Sequence, residues 1–477
     1  MNLEFLLHPA APEIFLALWA MVLLMVGAFG GRKASPVVST LAGVGLVGAA
    51  VWVCNTQFGQ VFGGSFVSDA ASVFSRVAIY VSSAIAILLG DRWLARRNDA
   101  KIEFPVLVVL ASVGMGMMAA SGDLISLYVG VELHSLALYV LAAFRRDDLT
   151  ASEAGLKYFV LGALSSGLLL YGASLIYGFA GSTRFVDIAA AVSAGADTGV
   201  LFGLIFLVCG LAFKVSAAPF HMWTPDVYEG APTPIVAFFT TAPKLAAMVL
   251  FARALAAGFP GAVEQWQQVV VALGLISVAV GAFAGLAQSN LKRLLAYSSI
   301  ANIGYALVGM AAGTTAGMQS MLVFMVLYMI DVTGLFAILL ALSRDGRPME
   351  RISDFAGLAR ERPGMALAMS ALCFSVMGIP PFSGFWAKVY VFRAAIDAGL
   401  WPVAALALVG SVVAAFYYLR IVKLMWFDPA PGATDRSPAY ASGVAYAAAI
   451  FSFPLVLLAL TQLDPLAMAA ARAFGLS

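Results

Sequence analysis

Three lysines and one glutamate lie where a lipid bilayer tolerates few charges. Lys214, Lys244 and Lys388 each fall well inside an apolar stretch, and Glu132 lies at the centre of another. A charge at the bilayer centre costs about 2.5–3.5 kcal/mol on insertion scales, so such residues usually serve a function. Ammonium and carboxylate groups can exchange protons with each other and with water. These four residues therefore predict proton transfer through a membrane.

Glu132 and Lys214 are predicted to act as a charge pair. At about 4–6 Å and an effective dielectric constant near 20, such a pair interacts by roughly 3–4 kcal/mol. This energy is enough to decide whether the lysine holds or releases its proton, so separating the pair would turn the lysine into a proton donor. The alternative for Glu132 is a structural hydrogen bond to a neighbouring helix.

Other ionisable residues leave two interpretations open. Lys157 and Lys292 lie near the ends of apolar stretches, where they could admit protons or anchor the helix at the membrane surface. Asp331 lies in the middle of such a stretch, and either proton transfer or a structural hydrogen bond would explain it. His221 and His134 could relay protons, although membrane histidines more often serve packing.

The composition places the chain among polytopic membrane proteins. Of its 477 residues, 62% are hydrophobic and only 11% are charged, whereas soluble domains carry about 25% charged residues. The sequence has no basic patch that would indicate a nucleic-acid partner. It also has no group of His, Cys and carboxylate residues with the spacing of a metal site. The GxGxxG match at 43–48 lies inside an apolar helix without a preceding strand, so it does not predict dinucleotide binding.

Hydropathy predicts an all-α fold with about fourteen transmembrane helices. The predicted spans begin near residues 12, 37, 70, 104, 124, 153, 200, 234, 266, 292, 317, 363, 400 and 440. Lys and Arg are concentrated in the odd-numbered loops, for example at Arg96 and Arg97, Arg145 and Arg146, and Arg360. The positive-inside rule therefore predicts that these loops face the cytoplasm and that both termini are periplasmic.

Two predicted helices are interrupted by proline at matching places. Span seven runs into Ala218-Pro219-Phe220, and span twelve runs into Pro380-Pro381-Phe382. The two sites are related by an offset of 162 residues, which also matches Val227-Tyr228 with Val389-Tyr390. Interrupted helices in two halves of a chain indicate the working site of a transporter. Asp226 and Glu229 follow the first interruption and are predicted to cap a helix or lie in a loop.

Three motifs carry a resemblance to a known family. They are PFHMWTPDVYEGAPTP at 219–234, NLKRLLAYSSI at 290–300 and GIPPFSGF at 378–385. The chain resembles the N-type antiporter-like subunits of bacterial NADH–quinone oxidoreductase, which is respiratory complex I. The first motif is specific, whereas the other two also resemble related antiporter subunits.

The resemblance implies a proton-translocating membrane subunit with two inverted five-helix repeats. The implied segments are 1–103 (spans one to three), 104–258 and 259–428 (the two repeats), and 429–477 (span fourteen and a short tail). Glu132 and Lys214 would be the input pair, Lys244 the central relay and Lys388 the exit lysine. NADH, FMN, iron–sulfur clusters and quinone would bind in or between other subunits, and the partners would be the other membrane-arm subunits in the bacterial cytoplasmic membrane.

Two other functions compete with this interpretation. The same buried charges could serve a monovalent cation/proton antiporter subunit. Alternatively, the chain could be a structural membrane subunit whose polar residues only bind water or form contacts. The motif at 219–234 favours the redox-driven proton pump over the antiporter.

Overall fold

The computed structural model describes residues 7–195 and 197–476, and most of these residues are helical. The α-helices are α1 (Ala11–Gly30), α2 (Ser35–Val53), α3 (Ala70–Arg96), α4 (Glu103–Ala119), α5 (Leu124–Ala142), α6 (Leu149–Ala180), α7 (Phe185–Ala194), α8 (Thr198–Val215), α9 (Trp223–Gly230), α10 (Thr233–Phe239), α11 (Ala242–Gly258), α12 (Val263–Leu286), α13 (Leu291–Met310), α14 (Thr315–Ala341), α15 (Leu358–Glu361), α16 (Pro363–Met377), α17 (Ser383–Asp397), α18 (Trp401–Phe427), α19 (Ala439–Ile450) and α20 (Val456–Arg472).

The remaining regular elements are short. Two antiparallel hairpins pair β1 (Gly59–Val61) with β2 (Phe66–Ser68), and β3 (Ser343–Arg344) with β4 (Arg347–Pro348). A π-helical turn, Phe451–Leu455, joins α19 to α20. The strands lie in connections between helices, so the helices carry the fold.

The all-helical membrane class predicted from hydropathy is confirmed. Within the described residues, eleven helical segments are long and apolar enough to cross a membrane. Three predicted spans coincide with helices outside this set. Helices α4 and α16 are shorter, at 17 and 15 residues, and polar residues such as Lys292 and Asn302 lower the hydropathy of α13.

Helix starts follow ordinary capping chemistry. The Asp69 and Asp123 carboxylates accept hydrogen bonds from the backbone N–H groups of Ser72 and Ser126 in the first turns of α3 and α5. Such caps satisfy donors that have no partner within the helix. Asp148 caps α6 in the same way, and hydrogen bonds from Thr150 hold the pKa of Asp148 below its usual range.

The chain forms two compact units. The first unit contains the chain up to Val215, together with Gly230–Trp266 and the tail from Ala467. Within it, α11 is fully buried and packs against α3, α4 and α8. Helices α6 and α8 can approach closely because Gly172 has no Cβ atom. A Cβ atom added there would lie 2.5 Å from the backbone nitrogen of Leu207.

The second unit contains Ser216–Glu229 and Gln267–Leu466. Its helix α14 is largely buried and packs against α13, α16, α17 and α19. This packing buries Asp331 of α14, which is 1% exposed, inside the unit.

Both predicted interruptions are present in the structure, and at each of them the helix is followed by a residue with a positive φ angle. Helix α8 ends at Val215 and the next residue, Ser216, has φ +66°, while α16 ends at Met377 and Gly378 has φ +91°. These two residues are separated by the same 162 positions as the proline motifs. A left-handed residue terminates a helix and frees its last carbonyl groups.

A third interruption divides predicted span eight. This span is predicted from the sequence as one helix that begins near residue 234. Helix α10 ends at Phe239, and Thr241 has φ −110° and ψ −102° before α11 begins. Pro243 cannot donate to the carbonyl of residue 239, and its ring clashes with that carbonyl. The hydroxyl groups of Thr240 and Thr241 instead donate to carbonyl oxygens one turn back in α10.

Candidate functional site

The ammonium group of Lys214 is held by hydroxyl groups at the end of α8. Its Nζ atom donates to Ser135 Oγ at 3.0 Å, Ser166 Oγ at 3.2 Å and Tyr139 OH at 3.4 Å. Ser135 and Tyr139 lie one turn apart on α5, and Ser166 lies on α6. The lysine is 9% exposed, so these three oxygen atoms replace most of its water shell.

Glu132 lies on α5, one turn before Ser135, and interacts electrostatically with Lys214. Among the described residues the two side chains form no direct ion pair. The predicted partners lie on different helices, and Ser135, on the same helix as Glu132, binds the lysine. His134 is buried, and its Nδ1 atom lies 3.5 Å from Ser135 Oγ.

Lys244 lies in the first turn of α11, three residues after the break at Thr241. It is 2% exposed, and every residue from Thr233 to Ala256 is buried. Its position is the N-terminal, positive end of the helix dipole, the end that favours anions. A cation in this place is unusual, which fits a residue retained for function.

Lys388 binds the carbonyl end of the broken helix α16. Its Nζ atom donates to Met377 O at 2.8 Å, Val376 O at 3.2 Å and Ser411 Oγ at 2.7 Å. The same atom lies 4.8 Å from the centroid of the Tyr305 ring. The last carbonyl groups of a helix carry partial negative charge, so the break in α16 provides a cation site within the second unit.

Asp331 lies on α14 and lines the same small cavity as Lys388. It is 1% exposed, and it accepts hydrogen bonds from Ser375 Oγ at 2.6 Å and Ser383 Oγ at 2.9 Å. The cavity is also lined by Asn302. Asp331 and Lys388, both in the second unit, thus line one small cavity.

The remaining candidates lie in different environments. Lys157 is partly exposed on α6 and pairs with Glu153 at 2.7 Å, while Lys292 is buried and pairs with Glu350 at 3.1 Å. His221 lies in the break between α8 and α9 and is half-buried. The described residues contain no group of three or more His, Cys, Asp and Glu side chains that could hold a metal ion.

Asp226 and Glu229, predicted to cap a helix or lie in a loop, both lie within α9. The Arg293 Nη1 atom binds Asp226 Oδ1 at 2.7 Å and Glu229 Oε2 at 2.9 Å. All three residues belong to the second unit, so this bridge fixes α9 to the start of α13 there.

The hydroxyl groups around the lysines were not predicted from the sequence. Ser135 and Tyr139 follow Glu132 at helical spacings of three and seven residues, which places all three on one face of α5. That spacing is a signal that could have identified them. Ser166 and Ser411 come from distant parts of the chain, and nothing in their local sequence marks them.

A second missed feature is a buried ion pair in the first unit. The guanidinium group of Arg76 on α3 binds both carboxylate oxygens of Glu13 on α1, at 3.2 Å each. Tyr80 donates to the same carboxylate at 2.6 Å, and Arg76 also donates to Ser68 Oγ. Glu13 stood in the first predicted span, but its partner was not recognisable because Arg76 is one of many cations in the sequence.

The fold and these sites define a polytopic helical membrane protein with buried lysines at helix breaks. Residues 121–414 match the family described as NADH:quinone oxidoreductase/Mrp antiporter, TM. NADH-quinone oxidoreductase subunit N of a Caulobacter species is 65% identical over 471 residues, which cover 97% of each chain. The chain belongs to the subunit N family of NADH-quinone oxidoreductases.

Solved structures show the same fold. A chain of respiratory complex I from Thermus thermophilus with bound aureothin is 32% identical and has a TM-score of 0.81, covering 96% of this chain and 99% of that one. A chain of the Mrp complex from Dietzia has a TM-score of 0.83 at 23% identity, covering 99% of this chain and 98% of that one. At that identity the second likeness concerns the fold alone.

Proposed function

We propose that the chain transfers protons across the bacterial cytoplasmic membrane as a membrane-arm subunit of NADH–quinone oxidoreductase. Protons would enter at Glu132 and Lys214, pass Lys244 and leave through Lys388. Quinone reduction elsewhere in the complex would drive the separation of Glu132 from Lys214. Membership in the subunit N family supports this assignment.

One structural observation carries the proposal. In each compact unit, a buried lysine at a broken helix donates hydrogen bonds to neutral oxygen atoms: three hydroxyl groups for Lys214, and two carbonyl groups and one hydroxyl group for Lys388. A lysine in such a shell can lose its proton without breaking a direct ion pair. An arginine could not do so, because its guanidinium group stays protonated in proteins.

The membrane topology belongs to the same proposal. Eleven apolar segments together with α4, α13 and α16 would give fourteen spans, with inverted repeats over 104–258 and 259–428, flanked by 1–103 and 429–477. Both termini would be periplasmic, since Lys and Arg are concentrated in the odd-numbered loops. NADH, FMN, iron–sulfur clusters and quinone would bind in or between the other subunits.

The test compares proton pumping with electron transfer in the assembled complex. In sealed proteoliposomes, Lys214→Ala and Lys388→Ala are expected to lower the number of protons moved per NADH oxidised. Lys423→Ala is the matched control, because Lys423 is exposed and pairs with Asp428. Undiminished pumping by both buried-lysine variants would leave a structural role only. Sodium-stimulated proton exchange by the isolated chain would instead favour the cation/proton antiporter.

A further inference from the structure

The proposed route does not use one buried carboxylate beside Lys388. Asp331 accepts hydrogen bonds from Ser375 on α16 and Ser383 on α17, and Ser452 Oγ in the π-helical turn lies 2.9 Å from Ser383 Oγ. Three separate elements therefore each supply a serine to this cluster. Within the described part of the chain, Asp331 forms no ion pair with a lysine or arginine.

The chemistry of these neighbours suits a group that gains and loses a proton. A hydroxyl group is both a donor and an acceptor, whereas guanidinium and ammonium groups only donate. Ser375 and Ser383 can donate to an ionised Asp331 and can accept from a protonated one with their oxygen atoms in the same places. The cluster can accommodate either state of the carboxyl group.

Asp331 and Lys388 share one small cavity. Both side chains line a cavity of about 10 Å³, which is close to the space that one water molecule needs. A buried water needs about two to four polar partners, and Asp331, Lys388 and Asn302 are among the residues that line the cavity. A proton crossing this space would travel through one water molecule.

We propose that Asp331 is a further proton carrier, which exchanges a proton with Lys388 across this cavity. The inference rests on the proposed function and adds a carrier to the second unit. In the forward step an N–H bond of the Lys388 ammonium group breaks and an O–H bond forms on Asp331, which leaves a neutral amine and a neutral carboxylic acid. The reverse step restores both charges, and no oxidant or reductant takes part.

A purely structural role makes a different prediction. An asparagine at 331 has the same shape, and its amide group can both accept from and donate to the serine hydroxyl groups. If Asp331 only holds α16 and α17 together, Asp331→Asn should leave pumping intact. If Asp331 carries protons, the same variant should lose pumping, because an amide does not titrate in this range.

The experiment measures the rate of proton movement, and its ratio to NADH oxidised, for the assembled complex in sealed proteoliposomes. Positioned proton-transfer groups contribute about 10²–10⁴-fold to a rate, and other steps share control of turnover, so Asp331→Asn is expected to slow pumping about tenfold. Asp331→Glu, which keeps a carboxyl group, should pump better than Asp331→Asn. Asp397→Asn is the control, because Asp397 is exposed at the end of α17.

A double variant and a substitution of Ser383 complete the test. If the two groups exchange one proton, Asp331→Asn combined with Lys388→Ala pumps no worse than Lys388→Ala alone. If Asp331→Asn does not assemble, Ser383→Ala replaces it, and slower pumping by that assembled complex supports the inference.

The outcomes separate two failures. Normal pumping by Asp331→Asn, or by Ser383→Ala where that variant stands in, overturns the inference. The proposed function survives that result when Lys388→Ala still lowers pumping. Normal pumping by Lys388→Ala as well would refute the proposed function itself.

Discussion

Two clusters of buried charge in this molecule are built from different partners. In the first unit, Arg76 and Glu13 form a direct ion pair, with Tyr80 and Ser68 completing the shell. In the second unit, Lys388 binds carbonyl and hydroxyl oxygens, while the Asp331 carboxylate is bound by serines. Each cluster holds a positive and a negative group within its own unit. Only in the first cluster do these two groups form a direct ion pair.

The difference teaches which buried charges are suited to proton transfer. A guanidinium group does not release its proton, so the Arg76–Glu13 pair stays charged and holds α1 against α3. A lysine bound by neutral oxygens has an alternative neutral state with the same hydrogen-bonding neighbours. We infer that the ion pair serves the fold and that the lysine clusters serve transport. The predictions below test this division, from the largest expected effect to the smallest.

Removing the arginine of the ion pair should have the largest effect on stability. Arg76→Met leaves the Glu13 carboxylate buried without its cation, which costs about 3–5 kcal/mol. The expected result is a lower thermal midpoint of the purified complex and less assembled subunit in membranes. Arg393→Met is the control, because the Arg393 side chain is 81% exposed. An unchanged midpoint for Arg76→Met would show that the pair does not stabilise the fold.

Loss of one hydroxyl partner should weaken the lysine cluster without destroying the fold. Ser411→Ala removes a hydrogen bond to a charged group, a change of about 1.5–3 kcal/mol. We expect slower pumping at unchanged assembly, measured as the rate of proton movement together with the number of protons moved per NADH oxidised. Ser193→Ala, at an exposed site on α7, is the matched control. Equal pumping by Ser411→Ala and the unmodified complex would remove this serine from the site.

The two helix-ending residues offer a matched pair of substitutions. Gly378→Ala puts a Cβ atom 2.9 Å from Lys388 Cδ at a φ of +91°, and the left-handed conformation alone costs about 1–2 kcal/mol. Ser216→Gly relieves the same strain at φ +66° and should not destabilise the complex. Thermal unfolding of both variants checks the signs. Equal shifts in one direction would contradict the assignment of strain to these backbone positions.

An exposed lysine should matter least. Lys157 pairs with Glu153 across one turn of α6 at the protein surface, and such pairs contribute about 0.3–0.5 kcal/mol. Lys157→Ala is therefore expected to change neither the thermal midpoint nor pumping measurably. A loss of pumping comparable with that of Lys214→Ala would show that Lys157 admits protons, the other role that its sequence position allowed.

The sequence revealed the elements of this fold more readily than the contacts inside them. Hydropathy identified the helical class, and the proline motifs at 219 and 380–381 marked the breaks after Val215 and Met377. Both signals are local in the sequence. The break at Thr241 was missed although Pro243 was visible, because prolines are also tolerated within membrane helices whose neighbours satisfy the freed backbone groups. The partners of Lys214 and Lys388 depend on how each helix is rotated against its neighbours, and packing over long sequence separations decides that rotation.

The central claim is that Lys388 works by releasing its proton and not only by carrying a charge. Lys388→Arg separates these roles, because arginine keeps the positive charge and the hydrogen-bond donors but does not deprotonate in proteins. The decisive measurement is the number of protons moved per NADH oxidised by the assembled Lys388→Arg complex in sealed proteoliposomes. We predict a loss as large as that of Lys388→Ala, and full pumping by the arginine variant would contradict the claim.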